Sequence, residues 1–333
     1  MRRRHGVKFI VLGALILVLF VLDLCTGSVG IPLREVLAAL TGGECPAQTA
    51  RIVIDIRLLK AVVAMLVGMA LGVSGLQMQT LFRNPLAGPY VLGISSGAGL
   101  GVALFVLGGS ALGISGTFSS VGIAGSAWLG AAAVLVMVGA LTRRVRDIMV
   151  ILILGMMLSS AISAVVQILQ YLSDEQSLKT YIIWTMGSLG DVTRPQLAIF
   201  APSVVLGLAL AVAAVKPLNM LLFGEEYART AGLDPRRARM IIFLSVTLLA
   251  GTVTAFCGPI GFIGLAIPHV ARMLLADSDH RALLPGTILC GAAAMLLCDL
   301  VAKSCAIPVN SVTSLLGIPV VVWVVWRNKS LAI

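Results

Sequence analysis

The chain has 333 residues, of which 59% are hydrophobic and 11% are charged, and its mean hydropathy is +1.05. A soluble domain cannot bury so much apolar surface, so the composition excludes soluble proteins and predicts a helical protein that crosses a membrane many times. The net charge of +10 does not indicate a nucleic-acid-binding protein, because most Lys and Arg residues fall in short loops, as membrane topology requires.

We predict an all-α polytopic membrane protein with about ten transmembrane helices in a single domain, residues 1–333. A complete crossing needs about 20 residues, so the third, eighth and tenth apolar segments are short. Lys and Arg concentrate in the loops that lie inside when the N-terminus is inside, which predicts that both termini are cytoplasmic. The spans are placed at roughly 9–27, 58–81, 90–108, 120–142, 148–171, 195–215, 239–257, 261–275, 282–303 and 312–326.

Residues 216–239, called the charged segment below, are a polar island between apolar spans. The pattern predicts one short helix from Leu218 to Ala231, which ends at Gly232, and a second helix that begins at Asp234-Pro235. Both helices would lie outside the bilayer. A charged surface of this kind suits docking of another protein, although an ordinary solvated loop has the same composition.

Polar and small residues also mark the spans. Gln77 and Gln79 lie within a span, where a buried amide is costly unless it faces protein or water. Small residues recur at every fourth position, which is typical of closely packed membrane helices. These repeats are Gly68 and Gly72, then Gly93, Gly97 and Gly101, then Gly122, Ser126 and Gly130, and Gly155 and Ser159.

Four motifs follow one another along the chain: LFRNPLAGPYVLGISSGAGLG at 81–101, FGEEYARTAGL at 223–233, GPIGFIGLAIPHVAR at 258–272 and IPVNSVTSLLGIPVVVW at 307–323. Together with the predicted spans, they resemble the FecCD-type permease subunits of bacterial ABC importers for ferric siderophores, haem or cobalamin. The resemblance implies a type II ABC importer permease fold in the bacterial inner membrane, and uptake of a bulky metal chelate by alternating access.

The resemblance also implies a set of partners. Two copies would form a homodimer, two ABC ATPase subunits would bind ATP and Mg²⁺, and a periplasmic substrate-binding protein would deliver the metal-chelate substrate. The chain itself contains no Walker A sequence, so it is not expected to bind ATP, to need a cofactor or to act as an enzyme. Its six cysteines form no CxxC pair, so no metal site is predicted.

Three groups of residues are the candidate functional sites. Gly155, Ser159, Ser163 and Gln167 of the fifth span share one helix face. An amide that faces lipid is costly, so Gln167 indicates that this face borders a wet channel instead of lipid or a purely packed interface. The ATPase contact is assigned to Leu222, Phe223, Gly224, Glu225, Glu226, Arg229 and Gly232, which the resemblance places in coupling helices. The pathway and gate are assigned to Asn84, Pro85, Leu86, Gly155, Ser159, Ser163 and Gln167, with the last span beside them. Docking of the binding protein is assigned to Arg57, Lys60 and Lys303 at outer span ends.

Several alternatives stay open. Residues 143–150 lack the Ser or Thr that the family often has at its inner gate. Cys25 and Cys45 could form a disulfide. His269 could bind haem, although a structural role is favoured. Tyr171, Tyr181 and Trp184 could stack on a flat ligand or form an interfacial belt.

The competing class is a secondary transporter driven by an ion gradient, which would place acids at mid-membrane or show an inverted repeat. Here Asp23, Asp147 and Asp299 lie near span ends, and no inverted repeat is found. An intramembrane enzyme is disfavoured further, because no catalytic set of side chains converges within the spans.

Overall fold

The computed structural model describes residues 2–27, 29–111, 120–144 and 148–327, and every regular element within them is helical. Two π-helical stretches extend the α-helices: Ile52–Arg57 leads into α4, and Thr247–Gly251 joins α12 to α13. The α-helices are α1 Arg2–Cys25, α2 Leu33–Thr41, α3 Ala47–Arg51, α4 Leu58–Leu81, α5 Ile94–Ala111, α6 Ser120–Arg144, α7 Ile148–Leu172, α8 Glu175–Thr185, α9 Arg194–Ala213, α10 Val215–Leu221, α11 Glu225–Thr230, α12 Pro235–Val246, α13 Thr252–Cys257, α14 Ile263–Leu275, α15 His280–Cys305 and α16 Val309–Arg327.

Each predicted span coincides with a helical segment, so the all-helical, multi-span fold class is confirmed. The third span begins at Ile94 instead of residue 90, because residues 82–93 form turns around the prolines at 85 and 89.

Among the described residues, six helices are long and apolar enough to cross a membrane: Gly6–Cys25, Val121–Ala140, Ile148–Leu172, Arg194–Ala213, Pro235–Cys257 and His280–Cys305. Three apolar helices are shorter: Ile94–Gly109, Ile263–Leu275 and Val309–Val324. The shorter helices correspond to the three spans that were expected to be short.

Helix α4 is the central element of the fold, and every residue from Ala70 to Leu81 is buried. It packs against α15, α14, α9 and α12. Gly68 faces Gly291 on α15, and a Cβ on either residue would overlap the carbonyl group of the other. Small residues at these crossings let the backbones approach closely. Because lipid is as apolar as the helix surfaces, the hydrophobic effect does not drive helix association, and van der Waals contacts between the closely packed helices stabilise the bundle.

The two glutamines of α4 both face protein, as predicted. The Ser245 hydroxyl donates to Gln77 Oε1 over 3.0 Å. The Gln79 amide donates to the Leu265 carbonyl over 3.1 Å and accepts from Arg272 over 2.6 Å. The amides therefore cross-link α4 to α12 and α14 instead of facing lipid.

A second close contact joins α5 to α6. A Cβ on Gly97 would lie 2.7 Å from the Gly130 carbonyl oxygen, and a Cβ on Gly101 would overlap the Ser126 carbonyl oxygen. These repeats therefore serve helix packing, which confirms the prediction made from their spacing.

The charged segment differs from the prediction in one respect. The single helix expected from Leu218 to Ala231 is broken at Gly224, whose φ of 103° is in the region that favours glycine, so α10 and α11 are separate helices. Gly232, with φ 86°, ends α11 as predicted. Asp234 caps α12 as predicted, because its side chain accepts from the backbone N–H groups of Arg236 and Arg237.

Helix α8 begins after Asp174, whose side chain accepts from the Ser177 backbone N–H and caps the helix. One smaller expectation changes. Cys25 and Cys45 are both free thiols in the structure, so the suggested disulfide is not formed.

Candidate functional site

Helix α11 and the turn before it form an exposed mixed surface. Phe223 is 72% exposed and Tyr227 is 58% exposed, and their ring centroids lie 5.4 Å apart. Glu226 is exposed beside them. Such large aromatic side chains on a polar helix are typical anchors of a protein interface. We call Phe223, Glu226 and Tyr227 the aromatic surface.

Glu225 has a different role from its neighbour. Its carboxylate pairs with Arg229 one turn later, over 2.8 Å, and with Arg239 on α12. Arg239 is buried, so this ion pair fixes the angle between α11 and α12. Within the predicted ATPase-contact set, Glu225 and Arg229 therefore partner each other, whereas the aromatic surface is left exposed.

The remaining predicted contact residues form the turns at the two ends of α11. Leu222 is 37% exposed at the end of α10. Gly224 lies beside Arg83, since a Cβ there would be 3.4 Å from the guanidinium. The charged segment thus touches the loop that follows α4.

Asn219 fastens α10 to the start of α15. Its side-chain amide donates to Asp279 over 2.7 Å, and its Oδ1 accepts from the His280 backbone N–H over 2.9 Å. Hydrogen bonds from the Arg281 backbone N–H and from Asn219 hold the pKa of Asp279 below its usual range. Asn219 therefore links α10 to a helix that packs extensively on α4.

Side-chain hydrogen bonds help to hold the Asn84–Leu86 turn in place. Asn84 Oδ1 accepts from the Leu86 backbone N–H over 2.9 Å. The His269 ring donates from Nε2 to the Pro85 carbonyl over 2.9 Å, since a carbonyl can only accept. His269 is buried and tied to this turn, which supports the structural interpretation of that histidine over a haem ligand.

The predicted pathway face of α7 divides into two halves. Gly155 packs on the turn before α5, where a Cβ would lie 2.9 Å from the Val91 carbonyl oxygen, and Ser159 donates to the Gly155 carbonyl over 2.9 Å. Ser163 and Gln167 are exposed and line a cavity instead. The structure therefore places the first pair in helix packing and the second pair beside open space.

This cavity has a volume of about 290 Å³ and lies between α5, α7 and α8. Its other lining residues are Ser95, Ser96, Gly99, Ile162, Val166, Gln170, Tyr181, Trp184, Thr185 and Pro259. These side chains are hydroxyls, amides, aromatic rings and small apolar groups, and none of them carries a charge. Burial raises the pKa of the Tyr181 phenol, so that group stays neutral as well.

Two aromatic residues form one wall of the cavity. The rings of Tyr181 and Trp184 lie 6.0 Å apart, and the buried indole Nε1 of Trp184 has no hydrogen-bond partner among the described residues. Tyr171 is 88% exposed and does not line the cavity. Tyr181 and Trp184 are therefore placed to contact a ligand, whereas Tyr171 has the exposure of an interfacial residue.

The structure does not bring all predicted pathway elements into one cavity. The last span, α16, packs on α14 and α15, and Asn310 at its start accepts from the Gly261 backbone N–H over 2.9 Å. Neither α16 nor the Asn84–Leu86 turn contributes to the lining between α5, α7 and α8. Of the gate segment 143–150, residues 145–147, with Asp147 among them, lie outside the described residues.

The three cations assigned to docking point into the protein. Arg57 is buried and donates to the carbonyls of Leu24, Cys25 and Val29. Lys60 pairs with Asp299 over 2.9 Å. Lys303 pairs with both Asp23 and Asp299 over 2.8 Å. Each cation neutralises an acid or caps carbonyls inside the chain, which gives it a structural role, and its assignment to docking of the binding protein stays a prediction.

The sequence analysis did not single out Tyr227. Its spacing offered a signal, because Phe223 and Tyr227 are one helical turn apart. Among the described residues, no three His, Cys, Asp or Glu side chains cluster in a way that could hold a metal ion.

Comparison with known proteins identifies the class. Residues 15–327 match the model of the FecCD transport family. The chain belongs to the FecCD transport family. It is 37% identical over 285 residues to the hemin transport system permease of Yersinia pestis, covering 83% of each chain. It is 34% identical over 333 residues to the vitamin B12 import system permease of Citrobacter koseri, covering 98% of this chain and 97% of that one.

A third relative and a solved structure agree with this assignment. The molybdate import system permease of Haemophilus influenzae is 35% identical over 297 residues, covering 88% of this chain and 86% of that one. A solved structure described as an inward-facing, metal-chelate type ABC transporter aligns with a TM-score of 0.84 and 30% identity, covering 97% of this chain and 99% of that one. This FecCD protein is thus a multi-pass membrane permease of an ABC importer, a transport component and not an enzyme, and a secondary transporter is not favoured.

Proposed function

We propose that this permease moves a bulky metal chelate, such as a ferric siderophore, haem or cobalamin, across the bacterial inner membrane. The relatives named for hemin and vitamin B12 and the metal-chelate transporter structure support this substrate class. Alternating access, powered by ATP hydrolysis in separate subunits, supplies the motion. ATP and Mg²⁺ are bound by those partners, and this chain needs no cofactor of its own.

The single observation that carries the proposal is the exposed aromatic surface of the charged segment in a family of ABC permeases. Phe223 and Tyr227 contact each other, but most of each side chain is exposed and available to a partner. We assign them, with Glu226, to the contact with an ABC ATPase. Asn219 then transmits the movement of α10 to α15, and through α15 to α4.

The neutral cavity between α5, α7 and α8 supports the passage of a large chelate. Its hydroxyl and amide groups can exchange hydrogen bonds with a passing ligand, and no charge in its lining would hold the ligand tightly. We assign Ser163 and Gln167 to the pathway, with Tyr181 and Trp184 as its aromatic wall. A homodimer would place two such cavities about a two-fold axis.

We further propose that both termini are cytoplasmic and that a periplasmic binding protein delivers the cargo to the opposite face. Arg57, Lys60 and Lys303 then build the framework of the outer surface. The exposed Arg34 and Arg51 on α2 and α3 are better placed to meet its acidic groups. Selection of the chelate rests mainly with the binding protein, because the cavity lining is uncharged.

The aromatic surface provides the test. In a strain that expresses the ATPase of the same operon, we expect the double variant Phe223→Ala/Tyr227→Ala to lower copurification of the ATPase and chelate uptake by at least about tenfold, since interface anchors contribute about 2 kcal/mol or more each. Insertion of the permease into the membrane should be unchanged. Tyr171→Ala, which removes an aromatic ring of even greater exposure elsewhere, is the matched control and should have no effect.

Normal copurification together with normal uptake in the double variant would contradict the assignment. Glu225→Gln serves as a second comparison. Because Glu225 is paired within the chain, its loss should weaken the α11–α12 junction and reduce uptake less than loss of the aromatic anchors.

A further inference from the structure

A large apolar cavity lies between α1, α14, α15 and α16, and it shares no lining residue with the neutral cavity. Its volume is about 540 Å³. Small residues form its floor, among them Cys290, Ala293 and Gly317, which are buried. Leucines that are 43–45% exposed form its rim, namely Leu15, Leu297 and Leu316. The cavity is therefore open to the surroundings along the side of the bundle.

The packing of the four helices explains why the space exists. Both α1 and α16 pack on α14 and α15. Because the side chains on that shared floor are small, α1 and α16 stand on either side of a trough. The trough is far larger than a cavity of about 150 Å³, which is enough to bind a benzene molecule in a protein core.

We propose that this trough binds one acyl chain of a membrane phospholipid. Its lining residues are aliphatic side chains, glycine and two cysteines, so it offers water no hydrogen-bond partners and dispersion contacts favour a hydrocarbon occupant. Helix α1, which forms one wall, has a mean hydropathy of 2.7 over Gly6–Cys25 and is largely exposed. The trough therefore opens onto a surface that lipid covers.

Lys8 identifies the end of the trough where a headgroup belongs. Its ammonium donates to the carbonyl of Leu274, a lining residue, over 2.6 Å and to that of Leu275 over 3.4 Å. An ammonium has three N–H donors, so a lipid phosphate can accept the third. Lys8 lies one helical turn before Leu12, which also lines the trough. One phospholipid can therefore place its acyl chain in the trough and its phosphate at Lys8.

The site is independent of the transported cargo and of the ATPase contact. Photo-crosslinking tests it with the intact permease in lipid vesicles. The probe is phosphatidylglycerol that carries a diazirine in one acyl chain, with the matching phosphatidylcholine as a neutral-headgroup comparison. Peptides modified by the probe are located by mass spectrometry.

We expect modification to concentrate on the α14 and α15 residues of the trough. Ala294→Phe places a ring in the trough and should reduce that modification about tenfold, whereas Ala198→Phe, at an exposed position of α9, should leave it unchanged. Lys8→Gln should remove the preference for phosphatidylglycerol over phosphatidylcholine while the acyl chain still reaches the trough.

Two results would overturn the proposal. Modification spread evenly over all lipid-facing helices, or insensitive to Ala294→Phe when that variant has normal thermal stability, would show that the trough holds no ordered lipid. If Ala294→Phe fails to fold, Leu15→Trp, which fills the same space from the exposed rim, takes its place. A disulfide that forms between two copies carrying Leu15→Cys and Val320→Cys, with no lipid modification, would show that a second copy of the chain covers the trough.

Discussion

At the scale of single residues, a buried set of ion pairs joins three helices near their ends. Asp23 on α1 and Asp299 on α15 are both fully buried, and Lys60 and Lys303 neutralise them. The two acids and two cations balance in charge. A buried charge is tolerated only with such partners, because removal of one partner leaves an uncompensated charge at low dielectric.

We predict that Asp299→Asn lowers the stability of the permease by about 3–5 kcal/mol, because Lys60 and Lys303 lose their shared acid. Thermal unfolding in detergent measures the change. Asp55→Asn is the matched control, since Asp55 pairs with Arg194 where both side chains are about half exposed, and we expect it to cost about 1 kcal/mol or less. Equal losses in the two variants would contradict the special role of the buried set.

At the scale of helices, the close α5–α6 contact depends on the absence of side chains. Gly101 meets the backbone at Ser126, and Gly97 meets the backbone at Gly130. Backbone atoms cannot move aside as a flexible side chain can, so a methyl group at these crossings forces the helices apart. The same geometry recurs where α4 meets α15 at Gly68 and Gly291.

We predict that Gly101→Ala destabilises the permease by about 1–3 kcal/mol through overpacking. Gly125 lies on α6 with open space around it, so Gly125→Ala should be neutral or slightly stabilising, because alanine has the higher helix propensity. Thermal unfolding of the two variants under identical conditions checks the difference. A stable Gly101→Ala variant would mean that α5 and α6 do not pack as closely as described.

At the scale of the whole molecule, the predicted pathway face of α7 is packed along one half and open along the other. Its Gly155 and Ser159 lie against the turn before α5, whereas its Ser163 and Gln167 reach the neutral cavity. One helix face thus packs against the turn before α5 along one half and borders the open cavity along the other.

This arrangement predicts a pattern of thiol reactivity. In a variant without the native cysteines, Ser163→Cys and Gln167→Cys should react with a water-soluble thiol reagent, and Ser159→Cys should react at least about tenfold more slowly. Val205→Cys, at an exposed apolar position of α9, is the lipid-side control and should stay unreactive. Addition of the ATPase with a non-hydrolysable nucleotide should change the rates at 163 and 167. Uniformly slow rates at both positions would place the pathway elsewhere.

Much of this molecule follows from the sequence alone. Long apolar segments dictate membrane-spanning helices, because backbone polar groups in lipid must be satisfied within the segment. Local chemistry also predicted the cap at Asp234 and the end of α11 at Gly232, since both depend on neighbours within a few residues.

What only the tertiary structure decided are the partners of the polar side chains. Lys303 meets Asp23 across 280 positions of sequence, and His269 meets Pro85 across 184. Helical periodicity tells which residues share a face, but not which helix covers that face or whether a cavity lies there. For this reason Arg57, Lys60 and Lys303 read as surface cations in the sequence, yet they hold the interior together in the folded chain.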